Sequence, residues 1–364
     1  MSSRRVRVLF DERMLGHRPQ IQDPFLPGRL ERRVREMLAG LSVKWSYPEH
    51  PGRLTAIRDL LEARPIPGLE FAPGRIATRE ELARVHTTAY LDHVESLRGQ
   101  SAWLDVDTTA VSPGSIEAAE VAAGTAIAAV DAVLEGKANA SFALVRPPGH
   151  HAEPVRARGF CLFNNVAVAA SHARAVCGVD RVLIVDWDAH HANGTQEIFY
   201  GDEEVMLFDT HRAAPFYPGT GALEEVGVGS GEGTTVNVPL EGGSGDPALL
   251  AAFREVLFPA ARWFRPDLIL VSAGFDPHRL DLALNASHDG FAALTAALME
   301  LEAELCPGRL VFVLEGGYHL ESLAEGVHRV LATLMGVEAP PVRELGMADV
   351  ERAKAWHLDA FLGP

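Results

Sequence analysis

The sequence predicts an α/β protein built on an open, largely parallel sheet with helices on both faces. Two observations predict it. Short apolar runs alternate with amphipathic stretches along the chain, as in repeated strand–helix units. Several of the runs are nearly continuous in Val, Ile and Leu, the pattern of strands covered on both faces. The predicted strands are Val6–Phe10, Ser141–Val145, Arg181–Val185, Val205–Phe208, Asp267–Val271 and Leu310–Leu314. Helices fall between them. Ser112 and Pro113 read as N-cap and first helical residue of an Ala-rich helix running to about Leu134. Asn165–Val176, Ala248–Phe264 and Phe291–Leu305 are three more. Residues 11–46 read as an entrance loop or insertion, with a helix around Leu30–Leu41. A tail after Pro341 carries a helical pattern, Met347–Phe361, that packs on the body or serves a subunit contact, so a homo-oligomer stays open.

Composition narrows the function classes. The 364 residues are 47% hydrophobic and 23% charged, which suits one globular domain over residues 1–364. Lys and Arg number 33 against 49 Asp and Glu, a formal charge of −16. Such a surface repels phosphate backbones, which argues against nucleic acid and favours a cationic substrate, such as a Lys-rich peptide or a polyamine. The three cysteines show no CxxC pairing, and a reducing cytoplasm is the expected location. Met1–Phe10 lacks the apolar core of a signal peptide, and no apolar run reaches spanning length, so no membrane association is expected.

Polar clusters follow four of the predicted strands. They are Arg146–His151, Asp186–His191, Ser272–Asp276 and Glu315–Tyr318. Open α/β sheets bind ligands outside the carboxyl ends of their strands, so the clusters are expected to converge. Asp188 and His190 lie two apart in an extended segment and share a side. Asp276 joins them from another strand end. Two carboxylates and an imidazole leave an open coordination position, as catalytic sites do. The ligand charge of −2 balances a divalent ion, and without thiolate the site admits Fe2+ or Co2+ besides Zn2+. An isolated Asp-x-His is an ordinary polar loop; the crowded Asp-x-Asp-x-His-His at the end of an apolar strand is costly without a compensating partner.

His150 and His151 follow a rigid Pro-Pro-Gly turn and suit a general base with an electrostatic partner, or one buried and one surface histidine. Tyr318 suits an oxyanion donor, or an aromatic plug in a Gly-Gly turn. Phe160 and Tyr217, in Gly- and Pro-rich loops, suit the walls of a narrow apolar channel, or core packing. The Gly242–Gly245 run has no phosphate-loop context and reads as a loop.

Together, RPPGHHA (Arg146–Ala152), GFCLFNN (Gly159–Asn165), VDWDAHHANGTQ (Val185–Gln196), PGTG (Pro218–Gly221), SAGFD (Ser272–Asp276) and EGGY (Glu315–Tyr318) resemble the histone-deacetylase family. Asn193 and the Asp-Trp-Asp variant are similar to its class II and bacterial deacetylase-like branch. The resemblance spans about Tyr47 to Gly336 and implies an arginase/deacetylase fold around a mostly parallel eight-stranded sheet. It implies Zn2+ on Asp188, His190 and Asp276, with His151 as the base activating water. It makes His150 the supporting histidine, with Asp186 behind His150 and Asn193 behind His151. Tyr318 becomes the transition-state donor. Gly159, Phe160, Tyr217 and Gly316 become substrate contacts.

A structural K+ is implied on the carbonyls of Asp186, Asp188 and His190, with Asp209 and Thr210. A second cation site would involve Phe199, Asp202 and Val205. The implied reaction is hydrolysis of an acyl amide, in acetyl-lysine or a related acylated amine. An acetylpolyamine amidohydrolase is the alternative. A silent acyl-lysine-binding module should have lost a ligand or the tyrosine, and an arginase-like dimanganese enzyme needs further ligands. Two departures stand out. Ala192 replaces a usual glycine and requires a negative φ. Asp281-Leu282-Ala283 brings no glutamate to the pocket mouth, which leans away from a dedicated acetylspermidine enzyme.

Overall fold

The computed structural model describes residues 4–19, 47–105, 108–281, 283–337, 341 and 347–362. The helix predicted around Leu30–Leu41 lies outside them, as does Leu282 of the Asp281–Ala283 departure. The strands in chain order are β1 (Val6–Phe10), β2 (Glu70–Pro73), β3 (Ala102–Trp103), β4 (Ala110–Val111), β5 (Ala140–Ala143), β6 (Val182–Asp186), β7 (Val205–Arg212), β8 (Thr235–Leu240), β9 (Leu268–Ala273) and β10 (Leu310–Leu314). Eight form one sheet in the order β2-β1-β5-β10-β9-β6-β7-β8, and β3 and β4 form a small antiparallel pair. Every pairing among the described residues of the large sheet is parallel. Helices cover it, and β5, β6, β9 and β10 are buried throughout, in keeping with their largely apolar sequences.

Six strands match the prediction to within a few residues. The two strands of the large sheet that it lacked, β2 and β8, are the sheet edges, and each contains a proline; the short β3–β4 pair was not predicted either. Proline lacks the N–H a central strand must donate, so edges are where a sheet tolerates it. Edge β2 is largely exposed and carries no apolar signature. Edge β8 is covered by the tail helix, Ala348–Leu362. His357 Nε2 lies 2.8 Å from the Asn237 carbonyl, Lys354 pairs with Glu255 at 2.9 Å, and Asp349 accepts the Glu241 N–H. The tail therefore packs on the body.

The Ala-rich helix starts later than predicted, at Ser115, with Gly114 as its cap. Ser112 is not its N-cap, because its hydroxyl is taken by the Arg18 N–H and the Ser115 hydroxyl. The helix predicted over Ala248–Phe264 runs as Asp246–Ala252, a π-turn at Phe253–Leu257, and Phe258–Phe264. Pro259 explains the break. It removes one N–H and its ring would strike the carbonyl a turn earlier, so the helix widens ahead of it.

The topology places the site. The four clusters follow β5, β10, β9 and β6, which are consecutive neighbours at the centre of the sheet. All point the same way, so their carboxyl ends open onto one crevice.

Candidate active site

Asp188 and His190 leave the end of β6, and Asp276 leaves the end of β9. The alternation after β6 turns both Asp188 and His190 to one side. His190 Nδ1 lies 2.9 Å from Asp188 Oδ1 and 3.2 Å from Asp276 Oδ2. One ligand atom from each of the three lies within 4.8 Å of the others. Backbone N–H groups brace the carboxylates. Gly316 donates to Asp188 Oδ2, His190 to Asp188 Oδ1 and Ala189 to Asp276 Oδ1, all at 2.9 Å. Asp276 Oδ2 is buried with no hydrogen-bond partner, aimed at the space between the three side chains. The glycines keep that space open. A Cβ on Gly316 would stand 2.3 Å from Asp276 Oδ2, and one on Gly274 would stand 2.1 Å from Asp188 Oδ2. A buried orphan carboxylate oxygen, a second carboxylate and an imidazole fit a divalent cation.

The electrostatics agree. Burial opposes charge on His190, but Asp276 and Asp188 outweigh it and push its pKa up to about 10. Burial and the neighbouring Asp188 push Asp276 upward. A cluster that draws in a proton this strongly is a cation-attracting cradle.

The histidine pair stands beside it, with ring centroids 4.1 Å apart. Each ring is oriented through Nδ1. His150 Nδ1 lies 3.1 Å from Asp186 Oδ2, and a carboxylate there requires the ring to donate. His151 Nδ1 donates to Asn193 Oδ1 at 2.7 Å. The amide sense is set by Asn193 Nδ2, which donates to Glu153 Oε1 at 2.8 Å. His151 Nε2 is thereby left as the lone-pair nitrogen. The two rings are pushed apart in basicity. Burial lowers His150, but Asp186 and Asp188 reverse this and raise it well above the usual range. Burial, His150 and His190 all press His151 well below it.

Aromatic rings surround the cluster. Phe160 meets Tyr318 at 5.7 Å and Tyr47 at 5.1 Å between centroids, both edge-to-face. Tyr217 stands edge-on to His151 at 5.2 Å, and Phe216 stacks on His190 at 4.8 Å. Phe160, Tyr217 and Tyr318 each keep part of their surface exposed, which suits an opening better than a core. Gly159 has φ +53°, and a Cβ there would strike the His151 ring at 2.2 Å, so the position requires glycine. Its carbonyl receives the Cys161 thiol at 3.3 Å.

The remaining sequence-predicted residues are also placed. Ala192 has φ −77°, which an alanine adopts freely. Asp209 is buried beside them, but its Oδ1 faces His211 Nδ1 at 2.9 Å and its Oδ2 accepts the Ala192 N–H at 2.8 Å. The Thr210 hydroxyl reaches the Asp186 carbonyl at 3.4 Å. In the second cation set, Asp202 is paired with Arg174 at 2.6 Å.

Several supporting residues were given no role by the sequence, although Glu315 and Arg146 lie within the quoted motifs. Glu315 Oε2 accepts the Gly149 and His150 N–H groups, tying β10 to the histidine turn. Asp281 Oδ2 accepts the Tyr318 and His319 N–H groups at 2.6 and 2.8 Å. Arg53 donates to the Gly317 and Glu315 carbonyls, and its guanidinium lies 5.0 Å from the centre of the Tyr318 ring. Fully buried Glu49 faces both Arg53, at 3.2 Å, and Arg146, at 2.7 Å. The Arg146 contact has ion-pair distance without hydrogen-bond angles. These are long-range partners, and a local pattern does not reveal them.

His86 props the loop that carries His151 and Glu153. Its Nδ1 donates to the Glu153 carbonyl and its Nε2 accepts the Asn164 N–H, both at 3.0 Å. Burial lowers its pKa to about 4. The folded value lies below the unfolded one near 6.5, so its contribution is full above pH 6.5 and is lost as pH falls towards 4. Between pH 7 and 4.5 the wild type should therefore lose about 2–3 kcal/mol more than His86→Gln. Urea midpoints at the two pH values measure this; equal losses would overturn it.

The family described as "Histone deacetylase domain" matches residues 47–334. "Histone deacetylase 14, chloroplastic" of Arabidopsis thaliana is 37% identical over 92% of this chain and 88% of its own length. "Histone deacetylase-like amidohydrolase" of Pseudomonas aeruginosa is 42% identical over 74% of this chain and 71% of its own. "Polyamine deacetylase HDAC10" of Homo sapiens is 41% identical over 84% of this chain but only 48% of its own. Among solved structures, "Crystal Structure of HDA15 HD domain" superposes with a TM-score of 0.85 at 37% identity, covering 99% of this chain and 94% of that one. With its parallel eight-stranded sheet and the family match across its central 288 residues (47–334), the chain belongs to the histone deacetylase family and has its arginase/deacetylase fold.

Proposed function

We propose that this protein is a zinc-dependent deacylase that hydrolyses acyl amides of primary amines, with acetyl-lysine as the leading substrate. The observation that carries the proposal is the orphan Asp276 oxygen facing His190 and Asp188, with the lone-pair nitrogen of His151 beside them. Asp188, His190 and Asp276 hold the divalent cation; Zn2+ suits the donor set best, and Fe2+ or Co2+ suit it as well. When bound, such an ion polarises the acyl carbonyl and acidifies water.

The chain's own groups do the rest. His151 Nε2 takes the proton of the attacking water. His150, held against Asp186, carries positive charge beside it and supplies a proton to the leaving amine. The Tyr318 hydroxyl donates to the oxyanion. Phe160 and Tyr217 flank an alkyl chain, and the Gly159 carbonyl accepts the substrate N–H, with Gly316 shaping the floor. A structural K+ on the carbonyls of Asp186, Asp188 and His190, near Asp209 and Thr210, belongs to the same reading, as does a single catalytic domain in the cytoplasm.

The acetylpolyamine alternative needs a free acid at the mouth. Asp281 Oδ2 is engaged by two backbone N–H groups and no glutamate stands beside it in the sequence, which favours acyl-lysine. Zinc-loaded protein should release a reporter from acetyl-lysine peptide, and a chelator should abolish turnover, with Zn2+ or Co2+ restoring it. N-acetylputrescine turned over with the higher kcat/KM would reverse the substrate assignment. No hydrolysis of either by metal-loaded protein would sink the proposal.

A further inference from the structure

We propose that Asp131, His172 and Cys177 form a second metal site, for a thiophilic divalent cation such as Zn2+ or Cd2+, on the rim of the sheet opposite the catalytic one. Asp131 lies near the end of the helix Ser115–Leu134. His172 and Cys177 lie in the last turns of its packed neighbour, Asn165–Cys177. The first helix leads into the start of β5 and the second into the start of β6, so both end at the amino edge of the strands. The catalytic crevice is at the carboxyl edge.

One ligand atom from each residue lies within 4.8 Å of the others. His172 Nε2 is 2.9 Å from Asp131 Oδ1, and the Cys177 thiol points at the same oxygen from 3.8 Å. Metal bonds of about 2.0 Å to nitrogen or oxygen and about 2.3 Å to sulfur, in tetrahedral geometry, put ligand atoms about 3.3–3.6 Å apart. The observed spacing brackets that value, so a cation enters with side-chain rotations alone.

The surroundings add two arguments. His172 is buried, and its other ring nitrogen, Nδ1, makes no hydrogen bond. It faces Glu81 Oε1 at 3.8 Å. Glu81 is itself clamped by Arg75 at 2.7 and 2.8 Å. A carboxylate behind a histidine is the arrangement that orients a metal-bound imidazole. The Nδ1 proton would then point to Glu81 and the Nε2 lone pair to the cation, while Cys177 binds as thiolate after releasing its proton to solvent. Two helix carboxyl termini meeting here also favour positive charge. Asp131 is half-buried and Cys177 exposed, so the fourth position opens to water.

Cobalt loading of the full-length protein tests this directly. The catalytic donor set has no thiolate, the buried Cys161 thiol is engaged by the Gly159 carbonyl, and Cys306 is buried. A thiolate-to-cobalt charge-transfer band therefore reads the second site alone, whatever happens at the first. Wild-type protein should bind about two Co2+ per chain and show the band. Cys177→Ser should abolish the band and remove about one Co2+, with deacylase activity unchanged. Asp131→Asn should weaken cobalt affinity at least tenfold, read from the same band. Absence of the band in the wild type, or its survival in Cys177→Ser, would overturn the proposal.

Discussion

Tyr318→Phe is expected to lower kcat by about 10²–10³-fold, the cost of removing one donor from a developing oxyanion. Bound metal and KM should hardly change. The ring is positioned by contacts that the substitution keeps. Asp281 anchors the N–H groups of residues 318 and 319, Arg53 lies over one ring face and Phe160 meets the ring edge-to-face. Only the hydroxyl is lost. Desolvation pushes the phenol well above its ordinary pKa against the opposing pull of Arg53, so it remains a protonated donor at neutral pH. Steady-state kinetics on acetyl-lysine peptide, together with metal analysis, check this. A variant that retains half of the wild-type kcat would remove Tyr318 from the mechanism.

Glu49→Ala should destabilise the fold by about 3–5 kcal/mol. Glu49, Arg53 and Arg146 are all fully buried, and Glu49 is the carboxylate that faces both guanidiniums. Burial opposes the charge on Glu49, yet Arg146, His17 and Arg53 hold it well below the usual carboxylate range. Without it, two cations face each other in a space closed to water. The guanidiniums also bind backbone carbonyls of Met14, Glu49, Glu315 and Gly317. The loops bearing His150 and Tyr318 are thus fastened through one carboxylate, and activity should fall with stability. Urea unfolding at pH 7 measures the first effect. A loss below about 1 kcal/mol would show that the pair is dispensable.

The candidate site residues were legible in sequence because most lie in short local motifs after a strand, and the ordered set of motifs resembles one family. Asp188 and His190 share a side through strand alternation, and His150 and His151 sit on a stiff Pro-Pro-Gly turn. The central strands were legible because burial on both faces calls for largely apolar sequences. Edges β2 and β8 were not, since an edge needs neither an apolar run nor a full set of N–H donors. The start at Ser115 and the π-turn before Pro259 also escaped. Each is set by a competing partner or clash rather than by composition.

By itself, then, the amino-acid order determined the central strands, the polar clusters that follow them and the candidate donor set at Asp188, His190 and Asp276. Tertiary structure alone decided what holds those groups in place: Glu315 under the histidine turn, Asp281 behind Tyr318, Glu153 behind Asn193, and Glu49 between two arginines. The reason is range. Periodicity and turn chemistry act over a few residues. A buried charge finds its partner far along the chain, across 264 positions for Arg53 and the Gly317 carbonyl, and only the order of strands in the sheet brings them together.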